Sequence, residues 1–423
     1  MLDEPQGSLR GADAFPTGDR FLHVAVLGAG IMGSATALLL ARRGVRVTLF
    51  DAAERPFARA SRWNEGKIHL GHLYAGDRSL ATARRVLPGG LAFKSLTESL
   101  IGCSLEGAVT PHDDVYLVHR DSVADAEATE RYLEWVTAMA LEHPDARRYL
   151  VDLSSARTTA LSRRELAADY DTATVVAGFR VPERSVSTVW VADRFADALV
   201  STDRVELVLS AYVRAVRSSD GSLRDPMFVD TDRGRFGPFD FVVNALWEDR
   251  LRVDGALGLP RPPLHNHRFR LSAFVRTRRP VSVASAVVAT GPFGDVKNYN
   301  GRDLYLSWYP AGLIAEGDGV APPRLPELDA ARRERIGAEI LRELGRVVYG
   351  IRDVEAAVER VQVEGGWVYA AGGGSLADPT STLHRRDRVG ITRSGSYFSV
   401  DTGKYSIAPW LAAQVAREIC DGA

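Results

Sequence analysis

Cysteine is scarce in this chain: Cys103 and Cys420 are the two among 423 residues. That is too few for a zinc-ligand cluster or a disulfide framework, so no metal site is expected and a reducing, cytoplasmic setting is. An excess of one charge is also missing. Lys+Arg 53 stands against Asp+Glu 54, a formal charge of −1, so no global field recruits nucleic acid or an anionic membrane. No run reaches the roughly eighteen apolar residues that a membrane span requires. A GxSxG elbow and an HExxH helix are both absent, which leaves hydrolase and zinc-protease readings without support. Internal repeats and long low-complexity segments are lacking too. The first twenty residues, MLDEPQGSLRGADAFPTGDR, hold three glycines and two prolines and no apolar run, so residues 1–20 are expected to be a flexible leader and not a signal peptide. What remains is a chain with 45% hydrophobic and 25% charged residues, long enough for two or three ordinary domains with large cores.

The first informative segment begins at His23. His23 to Leu27 (HVAVL) is a short β-branched run, followed at once by Gly28-Ala29-Gly30-Ile31-Met32-Gly33, which satisfies GxGxxG. Ser34 to Arg43 is Ala/Leu-rich and helix-forming, Gly44 ends it, and Val45 to Phe50 (VRVTLF) reads as a second strand. In such a βαβ unit Gly28 permits the tight turn, Gly30 lets a pyrophosphate approach the backbone, and Gly33 lets the helix lie close on the strand. The helix start, with Ile31 and Met32, supplies N–H groups and partial positive charge for phosphates. Asp51, twenty-three positions beyond Gly28 and followed by Ala52, stands where an acid accepts hydrogen bonds from a ribose. Its charge repels the extra phosphate of NADP, which favours FAD or NAD. A glycine turn serving only close backbone passage is the plainer alternative, and it leaves the register of strand, helix, strand and acid unexplained.

The choice between FAD and NAD rests on residues 60–74, ASRWNEGKIHLGHLY. This segment resembles the second flavin-contacting stretch of the D-amino acid oxidase-like flavoproteins, especially the L-2-hydroxyglutarate oxidase branch. Ser61, Asn64, Gly66, Ile68, His69 and Gly71 match its Ser…Asn-x-Gly-x-Ile-His-x-Gly pattern, and Arg62 and Lys67 lie within it. Near the other end, Thr402-Gly403-Lys404-Tyr405-Ser406 resembles the Gly-Lys-Leu-Thr segment of the related glycerol-3-phosphate dehydrogenases. It precedes a helix with Pro409 in its first turn, whose N–H dipoles suit a reduced, anionic flavin. In the middle of the chain, Val213 of the strand pattern Val205 to Val216 falls where the family's backbone meets the adenine. Ala245 ends a second pattern, Phe239 to Ala245. Family members usually continue there with small residues and a glycine, whereas this chain has Leu246-Trp247-Glu248-Asp249-Arg250. The resemblance implies FAD as cofactor.

The implied fold is α/β: a Rossmann-like FAD-binding domain with an inserted α+β substrate domain carrying an antiparallel sheet. The expected cofactor domain is discontinuous, over 21–90, 186–258 and 365–423, leaving 91–185 and 259–364 for the substrate domain. Residues 121–142 predict a helix. Ser162-Arg163-Arg164-Glu165 opens another with a capping box, and Ile336, Ile340 and Leu344 repeat at helical spacing. Phe269 to Val275 and Leu304 to Tyr309 read as strands of the substrate sheet.

A flavin carries the hydride chemistry itself, so the protein must orient a substrate C–H and handle one proton. Three residues are the catalytic candidates. His69 is implied to pass beside the ring as base or neutral hydrogen-bond donor. In the dimethylglycine dehydrogenase-like branch a histidine at a comparable place is linked covalently to the flavin, so a covalent bond through His69 is an alternative, as is a structural imidazole. Lys404 is implied to bring a cation near flavin and substrate, against the reading of a solvated loop lysine. Arg268 shares a strand face with Arg270, opposite His267 and Phe269, and a guanidinium suits a carboxylate or phosphate. Tyr299, Tyr305, Trp308 and Tyr309 could line an apolar wall, though aromatic residues at strand spacing are more often core. The expected function is oxidation of a C–N or C–O bond in a small, polar, anionic substrate such as an amino or hydroxy acid, with dioxygen or another acceptor reoxidising the flavin. The rivals are a flavin monooxygenase, an NAD-only dehydrogenase and a dinucleotide-binding regulatory protein without turnover.

Overall fold

The computed structural model describes residues 22–223 and 226–422. The expected leader, residues 1–20, lies outside the described residues. Strand His23–Leu27 is central to a six-stranded sheet in the order Gly390–Ser394, Tyr397–Asp401, Phe241–Asn244, His23–Leu27, Arg46–Phe50 and Val205–Val208. Neighbouring strands are parallel except for the edge pair Gly390–Ser394 and Tyr397–Asp401. A parallel sheet must be covered on both faces, and the alternation of His23–Leu27 shows how. Val24 and Val26 join the core formed with helices Ile31–Ala41, Ala81–Ile101 and Ala408–Asp421. Ala25 and Leu27 meet a three-stranded antiparallel sheet, Val213–Ser218, Met227–Thr231 and Gly234–Phe239, through Val213, Val216, Met227 and Val229.

Helix Ile31–Ala41 is buried on nearly every side, so its polar side chains bond to nearby backbone: Thr36 Oγ1 donates to Met32 O at 2.9 Å and Ser34 Oγ to Ala29 O at 3.3 Å. Its approach to the sheet is backbone on backbone. A Cβ at Gly33 would stand 1.8 Å from Gly28 O, and Gly28 itself holds φ +96°, which glycine adopts without strain.

The expected strand Val205 to Val216 is two strands in two sheets. Ser210, at φ 51°, turns the chain between them, and Ser210 N and Ala211 N donate to Ala53 O and Asp51 O at 2.9 Å each. The helix expected from 121 starts at Ala126, because Asp125 caps it by accepting from Ala128 N at 2.7 Å.

A nine-stranded sheet forms the second layer, with Asn266–Thr277 as its longest central strand. Its pairings are antiparallel apart from Ala286–Ala289 with Asp114–His119. Strand Val358–Ala370 pairs with Asn266–Thr277 along its whole length and runs unbroken through position 365, where a boundary was expected. Leu271, Ala273 and Val275 pack on helix Ala330–Val347 through Ile340 and Leu344. The period of two then turns Arg268, Arg270 and Ser272 to the opposite face, toward the parallel sheet.

Replacing Gly33 by valine puts a side chain into the Gly28 carbonyl. The expected outcome is loss of soluble folded protein, read by expression yield and far-ultraviolet circular dichroism.

Candidate functional site

A cavity lies between the two layers, and its lining joins segments far apart in the chain. Gly28, Gly30, Ile31 and Met32 contribute the helix start; Asp51 and Ala52 follow the second strand; Val213 and Ala245 border the same space. A Cβ at Gly30 would reach within 2.7 Å of Ser61 Oγ, which itself accepts the Ile31 N–H at 3.0 Å. Asp51 is aimed by two peptide groups: Oδ2 accepts from Ala29 N at 2.7 Å and Oδ1 from Ala53 N at 2.8 Å. A bare backbone cradle at a helix start beside an oriented carboxylate suits the pyrophosphate and ribose of FAD.

Further along, the lining passes through Ser61, Asn64, Lys67 and His69 to Gly403, Lys404 and Tyr405. Asn64 is an internal brace: its amide donates to Ala60 O at 2.9 Å and its carbonyl accepts from Gly66 N at 2.9 Å. Five of the residues singled out as cofactor contacts lie off the lining. Gly33 packs beneath Gly28, Arg62 is paired with Asp193, Gly66 turns at φ +67° against Val186 O, and Ile68 and Ser406 are buried. Arg268 is also off the lining, 3% exposed, with Nη1 donating to the Tyr309 hydroxyl at 3.0 Å.

Arg270, two positions on, does line the cavity, stacked over the Tyr309 ring at 4.4 Å. Glu65, Trp63, Ser272, Tyr305 and Trp367 line it as well. Strand alternation had already linked Arg270 to Arg268. Tyr305, for which both a cavity wall and a core position were open, borders the cavity and accepts from Ser272 Oγ at 2.9 Å. Glu65 lies inside the 60–74 segment, where a lone acid carries no motif that would mark it.

The charges at this end are set by burial. His69 is 1% exposed; burial and then the Lys404 charge push its pKa well below the ordinary value, and its Nδ1 has no hydrogen-bond partner among the described residues. Burial lowers Lys404 to about 8, with Glu65 opposing and Arg386 and Arg268 assisting. Burial would raise Glu65, but Lys404, its own peptide and Arg270 leave it below the usual carboxylate value. Burial and the nearby Arg268 lower Arg386 to about 10.

The unusual segment Leu246-Trp247-Glu248-Asp249 lines the cavity too. Trp247, at φ 56°, donates its indole N–H to Trp367 O at 2.7 Å, and Glu248 pairs with Arg59 at 3.3 Å. Arg250 then anchors the turn, bonding Asp254 at 3.0 Å and Asp401 at 3.3 Å while 7% exposed. Asp254 also accepts from Tyr397 OH at 2.8 Å, Asn244 Nδ2 at 3.0 Å and Ser399 Oγ at 2.6 Å. Among the described residues no group of His, Cys, Asp and Glu is placed to hold a metal ion, and no helix is long and apolar enough to cross a membrane. Asp254→Ala leaves Arg250 with Asp401 as its one carboxylate and takes the shared acceptor from Tyr397, Asn244 and Ser399, so unfolding in urea should show a loss of about 3 kcal/mol.

Glycine oxidase from Geobacillus kaustophilus superposes with a TM-score of 0.64 at 17% identity, covering 94% of each chain. Iminodiacetate oxidase from Chelativorans sp. BNC1 gives 0.64 at 15%, over 94% of this chain and 95% of that one. L-alpha-glycerophosphate oxidase from Mycoplasma pneumoniae, with FAD bound, gives 0.61 at 13% over 94% of each. These likenesses show a shared fold. No curated protein matches the sequence. The family description "FAD dependent oxidoreductase" (DAO) matches residues 23–379, and with that span covering most of its length the chain belongs to this family of FAD-dependent oxidoreductases.

Proposed function

We propose that this enzyme oxidises a C–N bond, or failing that a C–O bond, in a small substrate bearing a carboxylate, with the segments around the six-stranded sheet holding FAD and the nine-stranded sheet covering the substrate. FAD, when bound, accepts the hydride and passes the electrons to dioxygen or another acceptor. Gly28, Gly30 and the first turn at Ile31 and Met32 would hold the pyrophosphate, Asp51 the adenosine ribose, and Val213 and Ala245 the neighbouring adenine. Residues 64–69 and 403–405 would border the flavin ring.

The observation that carries the reading is the company of cations at the Arg270 end. Arg268 and Arg386 are buried, and Arg270 and Lys404 are half-buried. None of the four forms an ion pair among the described residues, whereas the other strongly buried cations, Arg62, Lys67, Arg250 and Lys297, all do. Desolvated positive charge of that kind is relieved by an anion. Arg270 borders the cavity and would take the carboxylate in a two-pronged bond. Glu65, ionised and facing Lys404 and Arg270, would accept from a substrate ammonium, which favours an amino acid over a hydroxy acid.

Lys404 is the group poised to move a proton, because its pKa lies near 8. The neutral His69 imidazole would orient the reacting group by a hydrogen bond. Tyr305 and Trp367 narrow the space and exclude water.

The direct test is an anaerobic titration of the yellow holoprotein with amino and hydroxy acids, followed by bleaching of the flavin absorbance. Gly30→Val should yield colourless protein, read by the ratio of visible to ultraviolet absorbance. In kcat/KM against pH, the rate should rise through about pH 8 as Lys404 loses its proton, and Lys404→Met should remove that limb. His69→Ala should slow flavin reduction about 100-fold or more while changing substrate binding little.

A further inference from the structure

A ladder of four buried charges crosses from the nine-stranded sheet to the cavity wall, and none of the roles above uses it. Lys297 lies on strand Gly294–Asn298, Asp114 opens Asp114–His119, Glu183 follows Val175–Val181, and Lys67 belongs to the wall itself. All four are 2% exposed or less. Asp114 Oδ2 accepts from Lys297 Nζ at 2.7 Å and also from Lys67 Nζ. Lys67 Nζ lies 3.4 Å from Glu183 Oε2 and 4.9 Å from the Tyr116 ring centre.

Glu183 is the more informative acid. Its Oε2 accepts from the Tyr116 hydroxyl at 2.5 Å, and its Oε1 accepts from Leu70 N at 2.6 Å and Gly71 N at 3.3 Å. Those are the two peptide groups immediately after His69. His72 Nδ1 stands 3.5 Å from the same oxygen. One carboxylate thus grips the turn that presents His69 and the ammonium of Lys67, and both residues border the cavity.

Four desolvated charges are an expensive way to hold a turn. Two peptide N–H groups could be satisfied by a backbone carbonyl or an amide oxygen at far smaller desolvation cost. Charge is what the ladder adds. Burial alone drives Lys67 toward neutrality, yet Asp114 and Glu183 hold it above its ordinary value; burial likewise opposes ionised Glu183, yet Lys67 and His72 hold it well below. Both stay charged through the neutral range, and Glu183 also bears on His69, where it partly offsets burial and Lys404.

We infer that Glu183 and Asp114 are positioning residues that fix the His69 turn and keep a permanent cation, Lys67, at the flavin end of the cavity. This inference rests on the function proposed above for the rate it predicts, but on FAD binding alone for the electrostatics.

The test uses the holoprotein of Glu183→Gln, which preserves shape and removes the charge. Three readouts are expected at full flavin occupancy. The flavin midpoint potential, measured by dithionite titration against a reference dye, shifts to more positive values, because one negative charge has left a desolvated site while Asp114, still bonded to Lys67, keeps that cation in place. The reduction rate by substrate falls about tenfold or more, and the substrate dissociation constant stays within about threefold. A variant that only melts earlier, with parent potential and parent reduction rate, would show a purely structural residue and overturn the inference. Should Glu183→Gln yield no folded holoprotein, Tyr116→Phe removes one bond to Glu183 without altering charge. A smaller fall in reduction rate at unchanged substrate affinity supports the inference, and a parent rate overturns it. If no acid reduces the parent flavin, the proposed function fails while the potential shift still decides the ladder's electrostatic role.

Discussion

The structure depends throughout on one constraint: charge removed from water must meet an opposite charge, or wait for one. Lys67 and Lys297 meet Asp114, Arg62 meets Asp193, and Arg250 meets Asp254 and Asp401. Each of these pairs joins segments distant in the chain or clamps a turn beside the cavity. Among the described residues Arg268, Arg270, Arg386 and Lys404 form no ion pair; Arg270 and Lys404 line the cavity, and Arg268 and Arg386 lie behind its wall, close enough for their charges to act on Lys404. The contrast separates buried cations that are ion-paired from those that are not, a distinction that exposure alone would not make.

Period-two alternation is what delivers those charges. In Asn266–Thr277, Leu271, Ala273 and Val275 are drawn to helix Ala330–Val347, and the intervening Arg270 and Ser272 are thereby committed to the cavity. The same rule in His23–Leu27 sends Val24 and Val26 to the helices and Ala25 and Leu27 to the small sheet. The cavity therefore lies between two layers whose apolar faces are satisfied elsewhere, and polar groups border it at no cost to either core.

Much of the cofactor end was legible from local signals. GxGxxG, the strand before it and the acid after it act over some thirty residues, and glycine's tolerance of close backbone approach is a local property. The segments around 64–69 and 403–405 were found by resemblance, and they do border the cavity. Contacts within them were harder to read: Gly33, Arg62, Gly66, Ile68 and Ser406 support the wall from behind, because a segment that lines a cavity exposes only some of its side chains. The divergent Trp247 to Arg250 turn had no pattern to interpret, and its role emerges from Trp367, Asp254 and Asp401, which lie at least four and up to 151 positions away.

By itself the sequence determined the βαβ unit, the glycine turn with Asp51 beside it and the alternating strands, since each follows from neighbours along the chain. Tertiary structure alone decided that Arg270 faces the cavity where Arg268 does not, that buried Tyr305 borders it, and that Glu183 grips the turn after His69 from more than a hundred positions away. The physical reason is desolvation: which charge is paired, shifted or left free depends on what packs around it in space, and spacing along a chain carries no record of that.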